Sequence, residues 1–376
     1  MSNIVNKITA LSAVVFIGAV SVLTVFLPKQ SQSQDEGREL AKFPKISMSA
    51  LADGSFTESL STWCADHFAG RSGWTSAGAA LNSRICENVS NGIYITGERL
   101  LDTDAAKRGS SSAAADSVND FAENYSGAVY MAAVPTATGV YGNLLPEHLR
   151  SDTEKAQISR FCDHISTGVR RIDTYTLLKT LSDQNIYYNT DSRWTCYGAY
   201  CVYRTVIQKL GFIPISYGRY SISHVTDEYL GDLYRRAMCK RCRSDILDVY
   251  TISDGAEVTE CTGMDNQGIV TEKQLFDREA AKGQEKYQLY LGEPLPLIRI
   301  STTVSNERKL LVIGDSFADC FIPFLTQHYS EIVYFRPKYA ARQLTSFLDP
   351  DDYEQTLLLM GIDTLSEGSI PTIEKR

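Results

Sequence analysis

The sequence predicts an α/β fold, with a parallel sheet flanked by helices and one membrane-spanning helix at the N-terminus. Three observations predict it. Short β-prone runs alternate with segments of helical periodicity from about residue 128 onward. Apolar residues make up 43% and charged residues 22% of the 376-residue chain, which suits a folded domain. An uncharged apolar run lies near the N-terminus.

The apolar run covers residues 8–27 and ends at Pro28 and Lys29. At helical rise, a run of this length just spans the hydrocarbon core of a bilayer. A cleaved signal peptide is the alternative, because residues 19–21 form a small-residue cleavage site. The apolar run continues past that site, which favours an uncleaved signal anchor.

The predicted organisation has three parts. Residues 1–28 form the signal anchor, residues 29–45 a polar stalk, and residues 46–376 one extracytoplasmic domain. A short N-terminal tail before a large domain favours a cytoplasmic N-terminus. We therefore expect a single-pass protein of the cell membrane whose main domain lies outside the cytoplasm. The net charge of −8 argues against a nucleic-acid partner.

The elements of the main domain follow from hydrophobic periodicity and from turn residues. Strands are predicted at residues 128–134, 186–188, 309–313, 332–335 and 356–360, and helices at residues 153–169, 197–210 and 318–328. Pro135 closes the first strand. Alternation of this kind predicts a parallel sheet with helices on both faces.

Ser316 follows the apolar run 310–313 in a turn that also contains Gly314 and Asp315. A serine at a strand-to-helix turn is where many hydrolases hold their nucleophile. Asp191 lies in a second loop, after residues 186–188. Ligands of parallel sheets bind at the carboxyl ends of the strands, where we expect both Asp191 and Ser316 to lie. Asp315 needs no chemical role, since it can cap or tighten the turn.

Several segments occur in the order found in one known family. They are residues 38–44, 66–71, 91–100, 135–136, 141–146, 188–199 and 317–339. Together with the Ser316 turn they resemble the DHHW proteins, a group similar to the SGNH/GDSL acyl hydrolases and to the AlgX/AlgJ proteins of alginate O-acetylation. That group carries Asp-x-His-Trp where this chain has Asp191, Ser192, Arg193 and Trp194.

The resemblance implies an SGNH-hydrolase-like fold and a function in cell-surface polysaccharide O-acetylation. It implies Ser316 as the nucleophile of acyl transfer and Asp191 as the triad carboxylate, with Arg193 in the place of the histidine. It also implies a polysaccharide substrate and a membrane-bound O-acyltransferase partner that exports the acetyl group. No metal or nucleotide cofactor is implied.

Arg193 makes the activity an open question. Arginine stays protonated, so it cannot take the proton of a serine hydroxyl, and losing a triad member costs about 10⁴-fold in rate. One hypothesis keeps an O-acetyltransferase or acetyl esterase with a degenerate triad. The other is a degenerate homologue that binds glycan or acts as a scaffold in an acetylation complex. Arg193 then pairs with Asp191 or binds an anionic group on a glycan.

Three further features leave alternatives open. The candidates to replace the missing base are the five histidines of the chain, His67, His148, His164, His224 and His328. Trp194 is either a packed aromatic or a sugar-binding platform. Cys239 and Cys242 are the only close pair among nine cysteines, and they suit a local disulfide or buried thiols better than a zinc site.

Overall fold

A computed structural model describes residues 2–33, 38–85, 88–104, 112–150, 153–238 and 242–367. The chain divides into two compact units. Unit 1 comprises Met1–Asn91 with Arg235–Lys240, and unit 2 comprises Gly92–Tyr234 with Arg241–Arg376. Cys239, which the sequence pairs with Cys242, lies outside the described residues.

Unit 1 is mostly helical. Its helices are α1 (Ser2–Phe26), α2 (Met48–Ala52), α3 (Ser55–Asp66) and α4 (Arg71–Ile85), and its strands are β1 (Gln32–Ser33), β2 (Arg38–Glu39) and β3 (Val89–Ser90). The segment Lys7–Thr24 of α1 has a mean hydropathy of 1.9, so α1 is long and apolar enough to cross a membrane. This confirms the predicted N-terminal apolar helix. A signal sequence has the same properties, and the choice between anchor and signal stays a prediction.

Unit 2 holds the large sheet and the helices on its faces. Its strands are β4 (Ile93–Ile95), β5 (Leu100–Asp102), β6 (Ala128–Val134), β7 (Arg170–Arg171), β8 (Ser221–Tyr229), β9 (Asp245–Thr251), β10 (Val258–Met264), β11 (Val270–Glu272), β12 (Leu297–Thr302), β13 (Lys309–Gly314), β14 (Glu331–Phe335) and β15 (Gln355–Gly361). Its helices are α5 (Ser112–Glu123), α6 (Ala137–Tyr141), α7 (Thr153–His164), α8 (Thr174–Thr180), α9 (Cys196–Lys209), α10 (Asp232–Ala237), α11 (Ile322–Leu325) and α12 (Ile362–Glu367). The helix α10 begins in unit 2, and its residues from Arg235 onward are counted in unit 1.

The large sheet has the strand order β11-β10-β12-β14-β13-β15-β6-β7. The five strands from β14 to β7 are parallel, whereas β12 pairs antiparallel with β14 and with β10, and β10 pairs antiparallel with β11. The predicted α/β fold is therefore confirmed, and the sheet is mixed because an antiparallel arm extends its parallel centre.

The two faces of the parallel strands bury separate cores, because side chains alternate across a sheet. Leu310 and Val312 of β13 belong to one apolar cluster, which also contains Val202 and Val206 of α9. Leu311 and Ile313 belong to the other, together with residues of α5 and α7. Burial on both faces explains why these strands are continuous apolar runs in the sequence.

Three predicted elements differ from the structure. The helix predicted at residues 318–328 is a series of turns followed by the short α11, because Pro323 has no N–H and is tolerated only in a first helical turn. Residues 186–188 form only a single antiparallel bridge, Tyr187 with Trp194, so the Asp191 loop closes on itself. The helix α7 begins as predicted and ends at His164, before residue 169.

Candidate active site

Ser316 lies in the turn that follows the carboxyl end of β13 and is partly exposed. Asp315 organises this turn. One carboxylate oxygen accepts from the main-chain N–H of Phe317 (3.0 Å), and the other accepts from the N–H of Gly361 (2.7 Å) and the hydroxyl of Thr364 (2.6 Å). Burial, and next the charge of Asp363, raise the pKa of Asp315 to about 6. Asp315 therefore joins the ends of β13 and β15, as expected of a turn-forming residue.

A second set of contacts fixes the other side of the turn. The Tyr334 hydroxyl lies 2.5 Å from the carbonyl oxygen of Asp315 and 3.0 Å from Oδ1 of Asp319. Arg336, which follows β14 and is 2% exposed, donates from Nη2 to the same Asp319 oxygen at 2.9 Å. Tyr334 and Arg336 therefore fix Asp315 and Asp319, the residues on either side of Ser316 in the sequence.

Asp191 forms a bidentate ion pair with Arg193. Its carboxylate is fully buried and accepts from Arg193 Nε and Nη2, both at 2.6 Å, as well as from the Arg193 main-chain N–H at 2.9 Å. The Tyr229 hydroxyl and the N–H of Asp232 also donate to Oδ2. Burial is the largest influence and would raise the pKa of Asp191. The charge of Arg193 and the hydrogen bonds from Arg193 and Tyr229 together outweigh burial and hold this pKa below the usual range.

Neighbouring residues depend on this arrangement. A Cβ atom at Gly231 would collide with the Cβ and Oδ2 atoms of Asp191, so only glycine allows this approach. The carboxylate of Asp232 accepts from the N–H (2.8 Å) and the hydroxyl of Ser192. Burial, and next the nearby Asp191, raise the pKa of Asp232 to about 6.

Two contacts bring the Asp191 loop and the Ser316 turn together. The ring of Tyr287 lies 3.5 Å from the Arg193 guanidinium carbon, and its hydroxyl donates to the carbonyl oxygen of Ser316 at 3.2 Å. The indole N–H of Trp194 donates to the carbonyl oxygen of Phe317 at 2.9 Å. The structure therefore places Asp191, Arg193 and Ser316 in one region at the carboxyl edge of the sheet.

Trp194 is fully buried. Its ring meets Phe317 edge-on with 5.2 Å between centroids and stacks on Phe321 at 6.2 Å. Of the two roles left open by the sequence, this burial supports packing, because a sugar ring cannot stack on a face that other side chains cover.

The histidines of unit 2 lie away from the Ser316 turn or bond elsewhere. His328 is buried against the Tyr203 hydroxyl at 2.6 Å, and burial lowers its pKa to about 4. His224 is exposed and paired with Asp248 on the ribbon of β8 and β9. His164 bonds to the Arg160 carbonyl oxygen. His148 is exposed.

His67 belongs to unit 1, where it bonds to the carbonyl oxygen of Ala41 at 2.9 Å. The side chain next to the Asp191 carboxylate is therefore that of Arg193. Among the described residues, no group of three or more His, Cys, Asp or Glu side chains is able to hold a metal ion.

The sequence did not reveal Tyr229, Tyr287, Tyr334 or Arg336 as parts of this site. The tyrosines come from β8, β14 and the segment before β12, and nothing local marks them among 21 tyrosines in the chain. Arg336 had a weak signal, since it is a charged residue directly after an apolar strand that neighbours β13.

Comparisons with known proteins agree with this description. The family described as DHHW protein matches residues 77–335. A DHHW family protein from Eubacterium siraeum has a similar structure, with a TM-score of 0.58 and 20% identity over 71% of this chain and 90% of that one. Bacillus cereus PatB1, solved with a sulfonyl adduct, gives a TM-score of 0.62 and 20% identity over 74% of this chain and 98% of its own.

A third solved structure is more distant. The O-acetyltransferase domain of Pseudomonas putida AlgJ aligns with a TM-score of 0.43 and 12% identity, covering 70% of this chain and 84% of that one. No sequence match was found among the curated proteins. At these identities, the two better structural matches show that the fold is shared.

Proposed function

The chain belongs to the DHHW family, and from that premise we propose that it is a membrane-anchored, extracytoplasmic component of cell-surface polysaccharide O-acetylation that binds glycan without efficient acyl transfer. The observation that carries this proposal is the Asp191–Arg193 pair. It occupies the position where the family motif has its aspartate and histidine, and it removes the base that Ser316 would need.

The chemistry supports a binding role. The guanidinium of Arg193 is permanently protonated and cannot accept the proton of Ser316. Both oxygens of Asp191 already accept hydrogen bonds from Arg193, and Tyr229 donates as well. The Arg193 side chain keeps 15% of its surface exposed. A guanidinium with donors left over suits an anionic or hydroxyl-rich glycan.

Acyl transfer through Ser316 is the second candidate, and one observation favours it. The Ser316 turn has its full set of supporting hydrogen bonds, and Ser316 is partly exposed at the edge of the sheet. In this version the protein receives an acetyl group from a membrane-bound O-acyltransferase and passes it to a polysaccharide.

Replacing Arg193 with histidine tests the proposal most sharply. Hydrolysis of 4-nitrophenyl acetate and labelling by a sulfonyl fluoride would be measured on the full chain in detergent. We expect the native protein to match Ser316→Ala in both assays. Arg193→His regains a base beside Asp191, so we expect the rate of hydrolysis to rise by about 100-fold or more. A missing triad member costs about 10⁴-fold in rate, so this gain is a partial recovery. Mass spectrometry should place the label on Ser316.

The double variant Arg193→His with Ser316→Ala is the matched control, and it should lose the whole gain. Native hydrolysis far above that of Ser316→Ala, slowed by Arg193→His, would establish acyl transfer and overturn the binding proposal. Binding itself is measured with an O-acetylated alginate oligosaccharide and its de-acetylated form as probes. We expect Ser316→Ala to bind as well as the native protein and Arg193→Met to bind more weakly.

A further inference from the structure

The part of unit 1 that surrounds the end of α1 combines exposed apolar, aromatic and basic side chains. Lys29 follows α1 and donates to the carbonyl oxygen of Thr24, and its ammonium lies 5.0 Å from the ring centre of Trp63. The ring of Phe43 meets Trp63 edge-on, with 5.1 Å between centroids. One tryptophan thus separates the end of the apolar helix from Phe43.

The segment that continues from Phe43 is unusually exposed for its composition. Phe43 is 56% exposed, Ile46 70% and Met48 84%. Lys42 precedes Phe43 and Lys45 precedes Ile46, and both lysines are also exposed. Contiguous exposed apolar side chains mark an interaction surface, and aromatic residues next to lysines are typical of the membrane–water boundary.

Contacts of α1 with α4 and with the turn before it lie next to this surface. The Ala69 N–H donates to the Thr24 hydroxyl at 3.0 Å, and the ring of Trp74 meets that of Phe16 with 6.1 Å between centroids. Trp74 is 54% exposed. Phe16 lies about 15 Å along α1 from the helix end at Phe26, so Trp74 lies deeper than Lys29 and Trp63 when α1 spans a bilayer, at the level of the acyl chains.

A cavity of about 430 Å³ lies within this surface. Lys29 and Lys42 contribute its positive charge, Glu39 contributes a negative one, and Trp63 and Phe43 form apolar walls. Lys29 follows the end of α1 directly and Lys42 lines the same cavity, so both lysines are available to the phosphates of a lipid leaflet.

We propose that this surface, defined by Lys29, Lys42, Phe43, Ile46, Met48 and Trp63 and called the collar, sits in the interface of a lipid bilayer and takes the headgroup of an anionic phospholipid in its cavity. The proposal rests on the membrane anchoring proposed above. It assigns residues 29–48 to the lipid surface instead of to a free stalk. Continuity with α1 and the charge of the two lysines favour lipid over a protein partner.

The three tryptophans of the chain provide the test. The full chain is reconstituted in vesicles of phosphatidylcholine and phosphatidylglycerol, with and without bromine on the acyl chains, and tryptophan emission is compared. We expect the native protein to lose most of the emission from Trp63 and Trp74. The variant Trp63→Phe with Trp74→Phe emits only from Trp194, which is fully buried in unit 2, and should be unaffected.

Flotation of the same vesicles after a carbonate wash separates the anchor from the collar. Protein that floats without quenching is anchored but has no collar in the interface, which overturns this inference alone. Protein that is washed off overturns the anchoring, and the inference with it. Unlike the esterase assay, neither measurement depends on Ser316.

The headgroup site is tested by mass spectrometry of lipids retained in mild detergent. We expect phosphatidylglycerol to be retained in preference to phosphatidylcholine, and Lys29→Gln with Lys42→Gln to lose that preference. Lys282→Gln, at a lysine of unit 2 whose side chain is 71% exposed, is the matched control and should keep it. Equal retention of both lipids by the native protein would contradict the anionic headgroup site.

Discussion

The Ser316 turn and the Asp191 loop meet at the same edge of the sheet but differ in how their polar groups are used. In the turn, the carboxylate of Asp315 and the hydroxyl of Tyr334 support the backbone, and Ser316 stays partly exposed. In the loop, Asp191 and Arg193 neutralise each other below the surface. The turn therefore presents an exposed serine, whereas the two charges of the loop are paired with each other.

Removing the carboxylate of Asp191 should have the largest effect on stability. Asp191→Asn leaves the Arg193 guanidinium without its buried counter-charge, which costs about 3–5 kcal/mol for pairs of this kind. Asp254 is the matched control, because its pair with Arg219 is 72% and 56% exposed. Asp254→Asn should cost far less, because exposed ion pairs are screened by solvent and contribute little. Urea unfolding at neutral pH measures both, and equal costs would contradict the description of the loop.

The two regions should also respond oppositely to pH. Burial raises the folded pKa of Asp315 to about 6, above the unfolded value of about 3.9. Its contribution to stability is therefore complete below about pH 4 and is lost as the pH rises through about 6. Asp315→Asn does not titrate, so the native protein should lose stability relative to this variant across that window.

Asp191 provides the contrast. Its folded pKa lies below the unfolded value, so its contribution is complete above about pH 4 and is lost as the pH falls further. The penalty of Asp191→Asn should therefore shrink in acid, in the range where that of Asp315→Asn is largest. Unfolding curves at a series of pH values measure both, and penalties that change in the same direction would contradict the opposite pKa shifts.

Tyr287 connects the two regions, and its substitution should have the smallest effect. Tyr287→Phe removes the hydrogen bond to the Ser316 carbonyl oxygen but keeps the ring against Arg193, so we expect a loss of about 1 kcal/mol. Tyr287→Leu also removes the ring and should cost more. Tyr197→Phe, at a half-buried residue whose hydroxyl bonds to the Gln184 side chain, is the control. A Tyr287→Phe cost no larger than the control would mean that the hydroxyl does not connect the regions.

The central strands could be predicted from the sequence because both of their faces are buried. The predicted residues 309–313, 332–335 and 356–360 agree with β13, β14 and β15 to within one residue at each end. The antiparallel arm could not be predicted in this way. β10 and β12 mix buried residues with half-buried or exposed ones, and this pattern gives no continuous apolar run.

The candidate site shows the same limit. Asp191 and Ser316 could be placed from the resemblance and from the rule for parallel sheets, and the pairing of Arg193 with Asp191 followed from their charges. Tyr229 and Tyr287 reach the pair only through the tertiary fold, which no local pattern encodes. The helix predicted at residues 318–328 followed the apolar periodicity, although Pro323 argued against it. A helix through Pro323 lacks one backbone hydrogen bond, because proline has no N–H.

The indole hydrogen bond of Trp194 has a consequence for the order of folding. This hydrogen bond joins positions 123 residues apart. The Ser316 turn also depends on the hydrogen bond from the N–H of Gly361, at the end of the last strand, to Asp315. Contacts of such long sequence separation form only after the entropy of closing the intervening chain has been paid. While the chain is being synthesised, the Asp191 loop therefore exists long before its partner does. Trp194 is shielded from water only once the C-terminal part of unit 2 has joined, so its fluorescence reports the completion of the site.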